Sequence, residues 1–210
     1  MTGRFITFEG GEGTGKSTHI KLLAERLKPQ IRELLLTREP GGTPEAEAAR
    51  ALLVSGEAGR WTATAEALLN YAARESHLTQ AIRPALQHGG LVLCDRFMDS
   101  TRAYQGYAAD CPMSLIDTLE EIIVGATRPN LTLVFDLDPQ MGLSRARGRK
   151  GVGGEDRYER KGLEFHQRVR EGFLEIARLD PRRCRIIDAS AEVETVSAKV
   201  WAQVSEVLRG

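Results

Sequence analysis

The chain has 210 residues, 29 basic and 29 acidic side chains, 41% hydrophobic and 28% charged residues. That suits one soluble domain of ordinary size, and the balanced charge excludes a protein whose main task is to coat DNA or an anionic membrane. No run approaches the ~20 apolar residues of a membrane span, and the N-terminal run MTGRFITFEGGEGTGKST is not of the secretory-signal type.

In chain order, the apolar patterning predicts a strand over 5–9, a helix over 17–27, a strand over 34–37 and a helix over 45–55. A long helix over 62–87 follows, with Ala65, Leu68, Leu69, Ala72, Ala73, Leu78, Ala81, Ile82 and Ala85 at helical spacing. Then come a strand over 91–95, a helix over 114–125, a strand over 131–136, a helix over 163–179, a strand over 185–188 and a helix over 195–208. Short strands alternating with helices imply an α/β fold with a parallel sheet. From Arg145 to Lys161 the pattern breaks into a basic, glycine-rich stretch, expected to be a flap between two helical pieces. Cys94, Cys111 and Cys184 are odd in number and scattered, and the four histidines form no ligand motif. A disulfide framework or zinc site is not expected, and a reducing cytoplasm is the simplest setting.

The strongest motif is Gly10-Gly11-Glu12-Gly13-Thr14-Gly15-Lys16-Ser17, an unbroken G-x-x-x-x-G-K-[ST] between a predicted strand and a predicted helix. Such a loop turns backbone N–H groups inward onto phosphate oxygens, and the helix that starts at its end adds positive potential. Lys16 is placed for the β- and γ-phosphates and Ser17, followed by Thr18, for Mg²⁺. No guanine-reading N-K-x-D is present, which argues against a GTPase switch. Arg96, directly after the Walker-B-like Asp95, suits a small kinase, because a second phosphate-bearing substrate must be held beside the first.

The run from Phe5 into this loop, the segment Thr37-Arg38-Glu39-Pro40-Gly41-Gly42-Thr43-Pro44, and Asp95-Arg96-Phe97-Met98-Asp99-Ser100-Thr101-Arg102-Ala103-Tyr104-Gln105-Gly106 together resemble the thymidylate (dTMP) kinase family. Asp136-Leu137-Asp138-Pro139 and Asp156-Arg157-Tyr158-Glu159 look like further motifs of that family. The resemblance implies a P-loop NTPase/nucleotide kinase fold: a five-stranded parallel sheet flanked by helices, one domain over 1–210, and a short lid at about 148–156. It implies transfer of the ATP γ-phosphoryl group to dTMP with Mg²⁺, giving dTDP and ADP, by a homodimer. Residue by residue, it implies that Glu12 accepts from the 3′-hydroxyl and that Arg96 and Arg38 hold the dTMP phosphate. Asp95 and Ser17 are then placed for Mg²⁺, with Pro40, Ser100, Thr101 and Gln105 near the base and Tyr104 crowding the sugar 2′ position. Arg74 matches an arginine that hydrogen-bonds the thymine carbonyl.

Where the family usually has a base-stacking phenylalanine, this chain has Asn70, which implies either weaker dTMP binding or a rearranged base pocket in which Tyr71, turned about 100° away on the helix, or another ring serves. The loop has no basic residue before Lys16, whereas Arg145, Arg147 and Arg149 lie in the flap, so the chain resembles the type whose lid arginines stabilise the transferred charge, with Arg149 or Arg147 as candidates. Gly172, Pro181-Arg182 and Asp188-Ala189 are expected toward the adenine end. The alternatives left open are a P-loop kinase for another nucleotide such as dUMP, and a non-catalytic ATP-dependent switch.

Overall fold

The computed structural model describes residues 3–148 and 157–209. Its sheet comprises β1 (Arg4–Gly10), β2 (Leu34–Arg38), β3 (Leu91–Asp95), β4 (Leu131–Asp136) and β5 (Cys184–Asp188), all parallel, in the order β2-β3-β1-β4-β5. These agree with the expected strands to within one residue at each end. The inner strands read as near-continuous apolar runs because helices cover both faces. Ile6 and Phe8 of β1 pack against Ile20, Leu23 and Leu27 of α1 (Lys16–Leu27) and against Val196, Val200 and Val204 of α9 (Val193–Arg209). On the opposite face, Phe5, Val92 and Cys94 pack against Ala67 and Tyr71 of α3 (Ala63–His77) and Ile116 of α6 (Met113–Leu119). A third cluster sets Val169, Phe173 and Ile176 of α8 (Leu163–Leu179) against Val134 and Tyr104.

The helix starts follow ordinary capping chemistry. Thr43 accepts from the Ala46 N–H at the head of α2 (Pro44–Val54), with Pro44 in the first turn, and Thr62 accepts from Ala65 at the head of α3. The helix expected over 62–87 is divided: α3 passes through a wide, π-type stretch, Leu78–Ile82, into α4 (Arg83–Gln87). Pro84 supplies the reason, since it cannot donate the next i→i−4 bond and the widened turn absorbs the defect.

Two helices lie where none was expected. The first is α5 (Met98–Thr101), which continues as a π-type stretch, Arg102–Tyr107. The second is α7 (Pro139–Gly148), capped by Asp138, whose Oδ1 accepts from the N–H groups of Gln140 and Met141 at 2.9 and 3.2 Å. Arg145, Arg147 and Gly148 therefore belong to a helix and not to the start of a flap. The rest of the expected lid, residues 149–156 with Arg149, lies outside the described residues. Among the described residues no helix is long and apolar enough to cross a membrane, and the three cysteines are buried and unpaired.

One buried ion pair braces α5 to the far side of the sheet. Arg183 meets both oxygens of the fully buried Asp99 at 2.6 and 3.0 Å and also donates to Thr132 Oγ1, which is 2.8 Å from Thr7 Oγ1. Removing one partner of such a pair leaves an uncompensated buried charge. Asp99→Ala is expected to lower the unfolding free energy by about 3–5 kcal/mol, read as a fall in the urea midpoint at unchanged slope; a midpoint equal to wild type would remove the brace from the account.

Candidate active site

The phosphate-binding loop leaves β1 at the point where that central strand has β3 on one side and β4 on the other, the crevice at which open α/β sheets bind ligands. At Gly13, φ is 67° and any Cβ would collide with the Gly142 carbonyl, so glycine is what lets the head of α7 close on the loop. Gly15 takes a left-handed conformation before α1, which has no side-chain cap and no acidic residue in its first turn. The free N–H groups there remain available to an anion. Lys16 Nζ donates to the carbonyls of Gly10 and Gly11 at 3.1 and 2.7 Å and to Thr14 Oγ1 at 3.2 Å. Burial lowers its pKa to about 8, and nearby Arg96 adds to the effect. Ser17 Oγ donates to Asp95 Oδ2 at 2.5 Å, which brings together a hydroxyl and a carboxylate.

Arg96 stands at the centre. Its backbone is left-handed, with φ 70°, and its N–H bonds the Phe8 carbonyl at 2.9 Å. Its guanidinium donates to the Gly10 carbonyl at 2.9 Å, Ser100 Oγ at 3.2 Å and Glu12 Oε1 at 2.9 Å. The Tyr104 hydroxyl donates to the same Glu12 oxygen at 2.8 Å. Burial alone would raise the Glu12 pKa, but Arg96, Lys16 and the tyrosine hydroxyl overcome it and hold it at about 2. Beneath this turn sits Glu9, a residue sequence patterning did not single out, although a carboxylate ending a buried strand is itself a signal. It accepts from the N–H groups of Phe97 and Ser100 at 2.7 and 3.3 Å and from Ser100 Oγ at 2.6 Å. Burial, reinforced by Asp99, raises its pKa to about 8.

Two clefts open on either side of the P-loop hollow, which shares Glu12 and Arg96 with the first and Gly13, Thr14 and Gly15 with the second. The first, of about 660 Å³, is lined by Glu12, Glu39, Pro40, Asn70, Arg96, Ser100, Thr101, Tyr104, Gln105, Tyr158 and others. Asn70 Nδ2 is bonded to the Glu66 carbonyl at 2.9 Å. Arg74 lies behind the wall, its Nε on Glu39 at 2.8 Å and its Nη2 on Thr101 Oγ1 at 3.2 Å, with Nη1 buried and without a hydrogen-bond partner among the described residues. Glu39 also holds His77, which in turn meets Thr37 Oγ1 at 2.7 Å. Tyr71 does not line this cleft. It is in the core beside Phe5 and Phe97, under the Arg74 guanidinium, because its position on α3 turns it about 100° away from Asn70. Arg38 lines the adjoining P-loop hollow and is held by the Pro40 carbonyl and Glu47.

The second cleft, of about 750 Å³, runs from Gly13, Thr14, Gly15 and Thr18 past His19 to Ala189, Ser190 and Arg145. Arg145 donates to the Ala189 carbonyl at 3.1 Å, while Arg147 is exposed beside Gln140, Ser144 and Leu163. Ala189 thus shares a cleft with Thr14 of the loop and with Thr18. Pro181 and Arg182 do not: they precede β5, at the opposite end of the sheet from the loop, and Gly172 packs against Tyr107. The arrangement is one phosphate-binding loop with a cleft on either side, lysine and arginine in the hollow between them and, among the described residues, no activated nucleophile.

A sequence profile of the thymidylate kinase family matches residues 8–200. Over 198 residues, 94% of either chain, the protein is 57% identical to the thymidylate kinase of Caulobacter vibrioides. It is 50% identical to that of Rhodopseudomonas palustris over 98% of this chain and 90% of that one. The crystal structure of thymidylate kinase from Ehrlichia chaffeensis superposes with a TM-score of 0.78 at 35% identity, covering 98% of this chain and 99% of that one.

Glu9 makes a pH-dependent prediction. With the folded-state pKa raised from 4.5 to about 8, the stability due to the neutral acid is complete below the lower value and is lost as pH rises through the upper one. Glu9→Gln mimics the neutral form at every pH. Its melting temperature relative to wild type is therefore expected to rise between about pH 5 and about pH 9; a difference that stays constant over that range would show Glu9 to be ionised throughout.

Proposed function

The chain belongs to the thymidylate kinase family and is a nucleotide kinase that phosphorylates dTMP; from that premise we propose how its residues divide the work. ATP lies in the cleft bounded by Thr18 and Ala189, its β- and γ-phosphates on the loop from Gly10 to Ser17 with Lys16, and dTMP lies in the cleft bounded by Asn70 and Tyr104. The observation that carries this reading is Arg96, fixed between the Gly10 carbonyl and Glu12 on the wall shared by the first cleft and the P-loop hollow. A cation held there faces the phosphates of both substrates, and with Arg38 it aligns the dTMP phosphate oxygen for in-line attack. That oxygen is already anionic at neutral pH, so no protein base is needed.

Glu12, held ionised, accepts from the 3′-hydroxyl, and Tyr104, fixed on Glu12, closes the space at the sugar 2′ position. On the base side stand Pro40, Ser100, Thr101 and Gln105, and behind them Arg74 Nη1, without a partner among the described residues, is the donor for a thymine carbonyl. Ser17 and Asp95 are hard oxygen donors of the kind Mg²⁺ takes when phosphates and water complete its shell. Bound there, the ion would neutralise charge on the transferred phosphoryl group. Arg147 of α7, or Arg149, which lies outside the described residues, adds a further cation. The same reading has one nucleotide-kinase domain working in the cytoplasm as a homodimer, the latter supported by Leu52 and Leu68, exposed on the packed pair α2 and α3.

ADP formation with Mg·ATP against dTMP, dUMP, UMP, CMP, GMP, AMP and thymidine tests the assignment. The expected result is a strong preference for dTMP and no turnover of thymidine, which lacks the phosphate that Arg96 holds. Turnover of another monophosphate in preference to dTMP would overturn the pocket assignment. Asn70 forgoes a base stack worth about 1–3 kcal/mol in other binders. Asn70→Phe is therefore expected to lower the KM for dTMP by about tenfold; a KM unchanged or higher would show that the stack is not missed.

A further inference from the structure

Glu66 lies fully buried on α3, one turn before Asn70. Donors from two distant parts of the chain converge on its carboxylate. Arg157 Nη2 at 2.5 Å and Lys161 Nζ at 3.6 Å meet Oε1, while Gln105 Nε2 at 2.8 Å and the Tyr158 hydroxyl at 3.1 Å meet Oε2. Arg157 is also fully buried and gives its other N–H groups to the carbonyls of Leu53, Glu57 and Ala58 at 3.1, 2.9 and 3.0 Å. The segment that follows residue 156 is thereby tied to the end of α2, to the loop before α3, and to α3 itself.

The consequence falls on Gln105. A carboxylate accepts and cannot donate, so an amide set against it must turn its nitrogen that way. The Tyr158 oxygen, whose proton goes to Glu66, accepts from the same Gln105 nitrogen at 3.3 Å. Both N–H groups of Gln105 are thus engaged behind the wall. Its Oε1 has no hydrogen bond among the described residues, and it is the atom left for the cleft that Gln105 lines.

We infer that Glu66 is a specificity-positioning residue: with Tyr158 it sets the Gln105 amide so that the base cleft presents an acceptor, favouring a pyrimidine that carries a proton on N3 over one that carries a lone pair there. This rests on the assignment of that cleft to dTMP. Thymine and uracil donate from N3, whereas cytosine accepts, so a fixed acceptor pairs with the first two and opposes the third. A buried group that cannot reorient makes such a mismatch costly. The three donors Arg157, Tyr158 and Lys161 sit in the stretch after the expected lid, so the carboxylate also links base discrimination to that part of the chain.

The test is the ratio of kcat/KM for dTMP to that for dCMP. In Glu66→Gln the new amide can offer N–H to Gln105 and let it turn over. The ratio is expected to fall by about tenfold or more, with the loss for dTMP mainly in KM. A uniform fall for both substrates, or an unchanged ratio, would overturn the inference and leave Glu66 as a packing ion pair. Tyr158→Phe keeps the ring and the Glu66–Arg157 pair intact, so it decides the matter if Glu66→Gln does not fold. A smaller fall of about two- to threefold in the same ratio is expected, and an unchanged ratio overturns the inference. In a Gln105→Met background, adding Glu66→Gln should leave the ratio where Gln105→Met put it; a further fall means that Glu66 acts by another route. A wild type with no preference for dTMP over dCMP overturns the cleft assignment together with this inference, whereas a preference that is undiminished in the variants overturns this inference alone.

Discussion

Arg96 leaves β3 in a left-handed backbone conformation, which costs a residue with a side chain about 1–3 kcal/mol. The end of β1 holds it there. The Phe8 carbonyl takes the Arg96 N–H, Glu9 accepts from the N–H groups of Phe97 and Ser100, and Gly10 and Glu12 take the guanidinium. The Cys94 thiol, donating to the Arg96 carbonyl at 3.0 Å, closes the other side. A strand end and the loop that follows it thus dictate the turn of the neighbouring strand. The phosphate loop and the arginine beside it form one rigid unit, and both clefts take their shape from it.

Around that unit the protein repeats one device. Glu39, Glu66, Asp99 and Glu120 are buried carboxylates, each met by arginine: Arg74, Arg157, Arg183, and Arg102 with Arg128. Such pairs add little net stability over a well-packed apolar replacement, because desolvation offsets most of the attraction. They do impose geometry. The planar fork of arginine bonds in fixed directions, so each pair sets the rotation of a helix or the end of a loop that apolar contact alone would leave free. Three of the four bear on the site: Glu39 aims Arg74, Glu66 orients Gln105, and Asp99 anchors the helix that carries Ser100 and Thr101.

Sequence patterning shows the sheet almost completely, because burial on both faces leaves apolar runs that stop at glycine, proline or charge. The phosphate loop is equally legible, since its chemistry is local in the chain. The segment 98–107 is not, because Asp99, Ser100, Thr101 and Gly106 are poor helix formers and its helix depends on contacts with Glu9 and Arg183. The start of α7 carries an Asp-Pro signature that alone points to a helix; the glycines and charges beyond it outweigh that signal. Tyr71 illustrates another limit. Helical geometry turns it away from Asn70, and only the packed core shows that Phe5 and Phe97 receive it. Glu66 and Arg157 are 91 positions apart, and neither lies in a pattern that names its partner.

Gly13 and Gly142 face each other backbone to backbone: a Cβ on the first would strike the Gly142 carbonyl, and one on the second the Glu12 carbonyl. In a contact between side chains, a lineage that enlarges one residue can later shrink the other and recover. Here neither position has anything left to give up. A change at one cannot be repaired at its opposite, and no ordered pair of single substitutions leads away from the present state. The two glycines form a dead end for heritable drift, enforced by the absence of atoms to trade.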